Sequence, residues 1–156
     1  MQAWAPHLIK DKEMLEKVQR RAVGMISGLK SKSYEGRLAE LHLPSLGERR
    51  WRGDMITVHR ILTGVDKVDH KTWFNLAADQ QREGATRTRH TAGTRTLTPR
   101  EGRTDLRRNF FTCRTPSQYN SLPVEVRSAE TINAFKNQLD TFYGQNPPPA
   151  RGRARM

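Results

Sequence analysis

Leu43-Pro-Ser-Leu-Gly-Glu-Arg-Arg-Trp-Arg-Gly-Asp-Met-Ile-Thr-Val-His-Arg-Ile-Leu62 is the stretch that decides the fold. Pro44 interrupts what precedes it. Ser45 followed by Glu48 has the spacing of a capping box, in which each side chain takes the other residue's backbone N–H, so a helix starts at Leu46. Trp51, Met55, Val58 and Leu62 then recur at three and four residues and give it an apolar face, widened by Ile56 and Ile61. Gly64 is placed to stop it. His59 falls beside the stripe and reads as a packing or half-exposed histidine rather than a metal ligand.

Upstream, residues 13–29 read as an amphipathic helix on Leu15, Val18, Ala22, Met25, Ile26 and Leu29, with Lys12, Lys17, Arg20 and Arg21 largely outside that stripe. A shorter helix over 33–41 carries Tyr34, Leu38 and Leu41 on one side. Downstream, residues 69–77 add a short helix that places Trp73 and Phe74 on the core. The Thr-, Arg- and Gly-rich run over 79–104 is either a long exposed loop or a hairpin of Thr94–Thr98 with Thr104–Arg108, turning at Pro99–Gly102. Residues 109–122 form another helix with Phe110, Phe111 and Tyr119 as packing residues. Thr131 caps a last helix whose stripe is Ile132, Phe135, Leu139 and Phe142, closed by Gly144.

The fold class is therefore mainly α: a small helical bundle with an Arg/Thr-rich loop or short β-hairpin and a disordered C-terminal tail. Residues 1–78 make an N-terminal helical unit, 79–108 the basic loop or hairpin, 109–144 C-terminal helices packing on the first unit, and 145–156 a flexible Pro/Arg tail.

The chain has 156 residues, 35% of them hydrophobic, enough for one modest core. Twenty-eight basic against 16 acidic residues leave a net charge of +12, which favours a polyanionic partner such as RNA or DNA. One cysteine, Cys113, rules out an intrachain disulfide and fits a reducing compartment, nucleus or cytoplasm. No apolar run reaches the ~20 residues of a transmembrane helix, and the first residues lack a basic-then-apolar pattern, so a secretory signal is not expected.

Catalytic chemistry finds no foothold. A polymerase needs clustered carboxylates for two divalent metals. Asp66 and Asp69 are separated and read as surface-turn residues. The five histidines and Cys113 have no zinc spacing. Gly84, Gly93 and Gly102 lack the Lys-Ser/Thr of a phosphate loop and read as flexibility. The chain is expected to be no enzyme, with no cofactor and no metal.

Arginine carries the functional signal. Arg87, Arg89, Arg95, Arg100, Arg103, Arg107, Arg108 and Arg114 crowd one stretch, opposed only by Glu101 and Asp105, and the stretch holds no lysine. Guanidinium groups make two-pronged phosphate contacts and stack on bases. Phe110 and Phe111 read either as stacking platforms for single strands or as core anchors. Arg20 and Arg21 on the first helix and Arg151, Arg153 and Arg155 in the tail complete the candidate nucleic-acid contacts. The other readings of these arginines are a solvated surface or a site for an acidic protein, which would make the chain a small helical protein–protein interaction adaptor.

Residues 4–143 also resemble the post-polymerase, carboxyl-terminal region of non-LTR retrotransposon reverse transcriptases, especially the chicken-repeat group. The resemblance rests on Gln2-Ala-Trp-Ala-Pro6, Leu15-Glu-Lys-Val-Gln-Arg-Arg-Ala22, Leu43-Pro-Ser-Leu46 with Glu48-Arg-Arg50, and Asn109-Phe-Phe111 leading to Asn120-Ser-Leu-Pro123. It implies an accessory region that holds template RNA or target DNA, without the endonuclease and without the polymerase's paired-aspartate motif. Thr115-Pro-Ser-Gln-Tyr119 departs from the family's bulkier run, and the Pro/Arg tail has no counterpart in it. These departures fit a domesticated or truncated copy.

Overall fold

The computed structural model describes residues 5–77 and 95–145. Among them stand eight helices and one short antiparallel strand pair: α1 (Ile9–Gly24), α2 (Tyr34–Glu40), α3 (Leu46–Leu62), α4 (His70–Trp73), β1 (Asn75–Leu76), β2 (Leu97–Thr98), α5 (Asp105–Arg108), α6 (Phe111–Asn120), α7 (Val124–Arg127) and α8 (Ile132–Gln145). The fold is mainly α. The flexible tail and the segment over 79–94 expected from composition lie outside the described residues. The chain divides into two compact units inside α3: the described residues through Gly53 belong to the first and those from Asp54 to the second.

In the first unit α1 and α2 pack together, and Val23, Leu29 and Leu38 are the buried apolar residues. Ser33 caps α2, its side chain accepting from the Gly36 N–H at 3.1 Å. The inner side of α1 is partly polar. Glu16 accepts the Tyr34 hydroxyl at 2.6 Å, and the Gln19 amide donates to the Pro44 carbonyl at 3.0 Å. Burial, aided by Glu16, pushes the Tyr34 phenol well above its ordinary pKa, so it stays a donor. The stripe read from sequence is a correction: Leu15, Val18, Met25 and Ile26 lie exposed, and Val23 points inward in their place. The Arg37 fork donates to the carbonyls of Leu29 and Lys30 at 2.9 and 2.8 Å, tying α2 to the turn after α1.

Both ends of α3 follow the local chemistry. Ser45 N–H donates to Glu48 at 2.8 Å and Glu48 N–H to Ser45 Oγ at 3.2 Å, completing the expected capping box. At the other end Gly64 has φ +72°, with Gly64 N–H on the Ile61 carbonyl and Val65 N–H on that of Arg60, a Schellman closure. The same closure ends α2, where His42 N–H meets the Ala39 carbonyl and Leu43 N–H that of Leu38. There a histidine occupies the left-handed position, at φ +50°.

The second unit has its core on Met55, Val58, Ile61, Phe74, Leu97, Phe111, Tyr119, Leu122, Phe135 and Leu139. Its strand pair sets Asn75 opposite Thr98 and Leu76 opposite Leu97. The hairpin expected within 94–108 is therefore corrected. Of its first strand only Leu97–Thr98 forms, pairing with Asn75–Leu76, and Asp105–Arg108 is helical. Thr104 explains the difference: its hydroxyl accepts the Arg107 N–H at 3.2 Å and starts a helix where threonine had read as a strand former. Gly102 is also more than a flexible joint. A Cβ there would stand 2.7 Å from the Arg108 backbone nitrogen, so α5 folds back onto it only because it is glycine. Thr131 caps α8 as expected, accepting the Ala134 N–H at 3.1 Å.

His59 is wholly buried, stacked on Phe135 at 3.9 Å between ring centroids and hydrogen-bonded to the Tyr119 hydroxyl at 3.0 Å. Burial, reinforced by the Arg95 charge, holds its pKa down to about 4, and the backbone at Ala129 offsets part of this. The folded state thus binds fewer protons than the unfolded chain between about pH 6.5 and 4.

Two outcomes are expected. His42→Gly relieves the left-handed residue and raises unfolding free energy by about 0.5–1 kcal/mol in urea melts. The His59 contribution to stability is full above pH 6.5 and falls as pH drops toward 4, by about 3 kcal/mol. His59→Gln flattens that slope in melts taken across pH.

Candidate nucleic-acid interface

The junction of α5 and α6 places two adjacent phenylalanines in opposite surroundings. Phe111, the first residue of α6, is buried and meets the rings of Phe74 at 5.7 Å and Trp73 at 6.4 Å, both edge to face. Phe110, just outside the helix, is 51% exposed. The core reading of the pair therefore holds for Phe111, and Phe110 stays outside the core. Arg107 lays its guanidinium over the Phe110 ring, 5.1 Å from the centroid. Arg103, Leu106 and Arg108, close to them in the chain, are exposed. Arg108 is tethered to the Gly102 carbonyl at 3.0 Å and to Asp105 at 2.9 Å. Glu101 and Asp105 share this surface, so its excess charge is small and the ring is its most distinctive element.

The other candidate arginines have different occupations. Arg95 is half-buried and donates to the carbonyls of Arg127 and Ala129 at 2.8 and 3.0 Å. Arg114 forms a two-pronged ion pair with buried Asp54, at 2.9 and 3.1 Å, and donates to the Asn109 carbonyl at 3.0 Å. Arg100 donates to Asn75 at 2.9 Å and reaches the Lys71 carbonyl at 3.4 Å. Arg20 covers the Tyr34 ring at 4.8 Å, and Arg21 is exposed on α1. Arg87, Arg89, Arg151, Arg153 and Arg155 lie outside the described residues.

Some internal contacts had no signal in sequence. Arg127 is buried, donating to the Leu122 carbonyl at 3.0 Å and to Thr96 Oγ1 at 2.9 Å. The Asp54–Arg114 pair joins residues 60 apart, and no local pattern announces such a distant partner.

Asp66 pairs with Arg60, and Asp69 caps α4 through the Lys71 N–H. Cys113 is a half-buried free thiol lining a shallow groove with Arg100, Arg108 and Ser117. Among the described residues no cluster of three or more histidine, cysteine or carboxylate side chains could hold a metal ion. No helix among them is long and apolar enough to cross a membrane.

Comparison with protein-family models, curated proteins and solved structures finds no match to this chain.

The division between internal and external arginines can be measured. Arg114→Ala removes the two-pronged partner of the buried Asp54 carboxylate and is expected to cost about 3 kcal/mol in urea unfolding. Arg103→Gln is expected to stay within about 0.5 kcal/mol of the parent.

Proposed function

We propose that the chain is a non-catalytic nucleic-acid-binding accessory domain, derived from the post-polymerase region of a non-LTR retrotransposon reverse transcriptase. Its ligand is single-stranded RNA or DNA, held through arginines on the phosphate backbone and one aromatic ring. The observation that carries this reading is the exposed Phe110 ring with Arg107 laid on it, in a stretch where Arg103 and Arg108 are also exposed. A base stacked on Phe110 extends an arrangement the guanidinium has already begun, and the neighbouring arginines take the phosphates before and after it. A duplex keeps its base faces internal and cannot use the ring. The net charge of +12 adds long-range attraction without sequence preference. Arg95 and Arg114 serve the fold in this reading rather than the ligand.

The adaptor reading, a small helical protein that binds another protein, draws on a separate surface, the outer face of α1.

The test is binding of the full chain to oligomeric single-stranded RNA, single-stranded DNA and duplex DNA across a salt series. Phe110→Ala is expected to weaken single-strand binding about ten-fold, the loss of one stacked base, and to leave duplex binding nearly unchanged. Arg103→Gln with Arg107→Gln should flatten the salt dependence for single strands by about 1.4 in log–log slope. Equal affinity for single and double strands, unaltered by Phe110→Ala, would overturn the reading.

A further inference from the structure

We infer that the outer face of α1 is a docking surface for an acidic amphipathic helix of a partner protein. This inference is independent of the nucleic-acid reading and concerns the other compact unit. Met14, Val18 and Met25 are spaced at four and seven residues and are 64, 69 and 75% exposed. At 100° per residue Met14 and Val18 share one line along the helix, and Met25, its C-cap in right-handed conformation at φ −83°, ψ −11°, continues that line, with exposed Leu15 to one side. These residues are not a core turned the wrong way. The inward face is already occupied by Glu16 on Tyr34, Gln19 on Pro44, and buried Val23. An apolar line of this length on an ordinary surface helix marks a contact for something else.

Charge selects the occupant. Lys10, Lys17 and Arg21, spaced at seven and four residues, run beside the Met14–Val18–Met25 line on its other side, and all three are exposed. A helix that lays Leu or Met side chains along the line, with Glu on the matching flank, satisfies both features at once. A second copy of the chain does not. Packed antiparallel, it sets this basic edge against itself, between molecules that each carry +12. The face also lacks the tryptophan, tyrosine or phenylalanine that anchors a helix at the level of lipid headgroups.

The test titrates the full chain into a fluorescein-labelled synthetic helix of about five turns, with leucines at helical spacing and glutamates flanking them. Two control peptides share its length: one has the same residues scrambled, so its charge is identical, and one has lysine in place of the glutamates. The acidic helix is expected to bind at least ~10-fold tighter than either control. Val18→Glu should abolish that preference. Lys17→Glu with Arg21→Glu should transfer it to the lysine-flanked peptide, a gain that misfolding cannot produce. Equal binding of the ordered and scrambled acidic peptides would overturn the proposal. So would tighter binding to phosphatidylserine vesicles than to the peptide, or concentration-dependent self-association in sedimentation that Val18→Glu removes.

Discussion

A chain of short elements leaves many backbone groups without partners in a helix or sheet, and the second unit depends on side chains that supply them. The Asn120 amide is the central case. It accepts the Leu97 N–H at 2.9 Å and donates to the Leu97 carbonyl at 2.7 Å, standing in for a neighbouring strand on the side away from β1. Leu97 is thereby fixed among the core residues although its strand is two residues long. A buried peptide group left unpaired would cost more than such a short ladder returns. The end of α6 and the strand pair consequently hold each other in place.

The same constraint explains where the arginines go. A guanidinium presents several donors in a fixed plane and can meet more than one carbonyl. Arg95 reaches across to the last residue of α7 and the stretch after it, Arg127 turns back on Leu122, and in the first unit Arg37 closes the turn after α1. The net charge therefore overstates what an approaching polyanion meets, because part of it is committed to holding loops. It also clarifies the stretch Asn120-Ser-Leu-Pro123, where Asn120 holds the strand, Leu122 fills the core and its carbonyl receives Arg127.

Local rules made much of the helical frame readable. The Ser45–Glu48 box, the Gly64 stop and the Thr131 cap each act within a few residues, so spacing alone reveals them. The stripe of α8 was legible for the same reason, with Phe135 and Leu139 fully buried. Readings failed where the deciding contact was remote or ambiguous. The apolar spacing of α1 gave no indication of which face would turn inward, since Glu16 and Gln19 settle that through Tyr34 and Pro44. Threonine at 104 suits a strand and a helix cap alike, and the Arg107 N–H decides between them. At the candidate interface the sequence left the core and platform roles open between two adjacent rings. Phe110 and Phe111 are the same residue type, and only the packing around Trp73 and Phe74 tells them apart.

That separation rests on where α6 begins. Phe110 occupies the cap position in extended conformation and offers no side-chain hydrogen bond to the helix. The start is held instead by Arg114, which grips the Asn109 carbonyl while its other prongs are locked on Asp54. A shift of the start by a single residue would rotate the pair by about 100° and exchange inner and outer ring. Asp54, a buried carboxylate, thus helps fix where α6 begins, by orienting the arginine that holds its first turn.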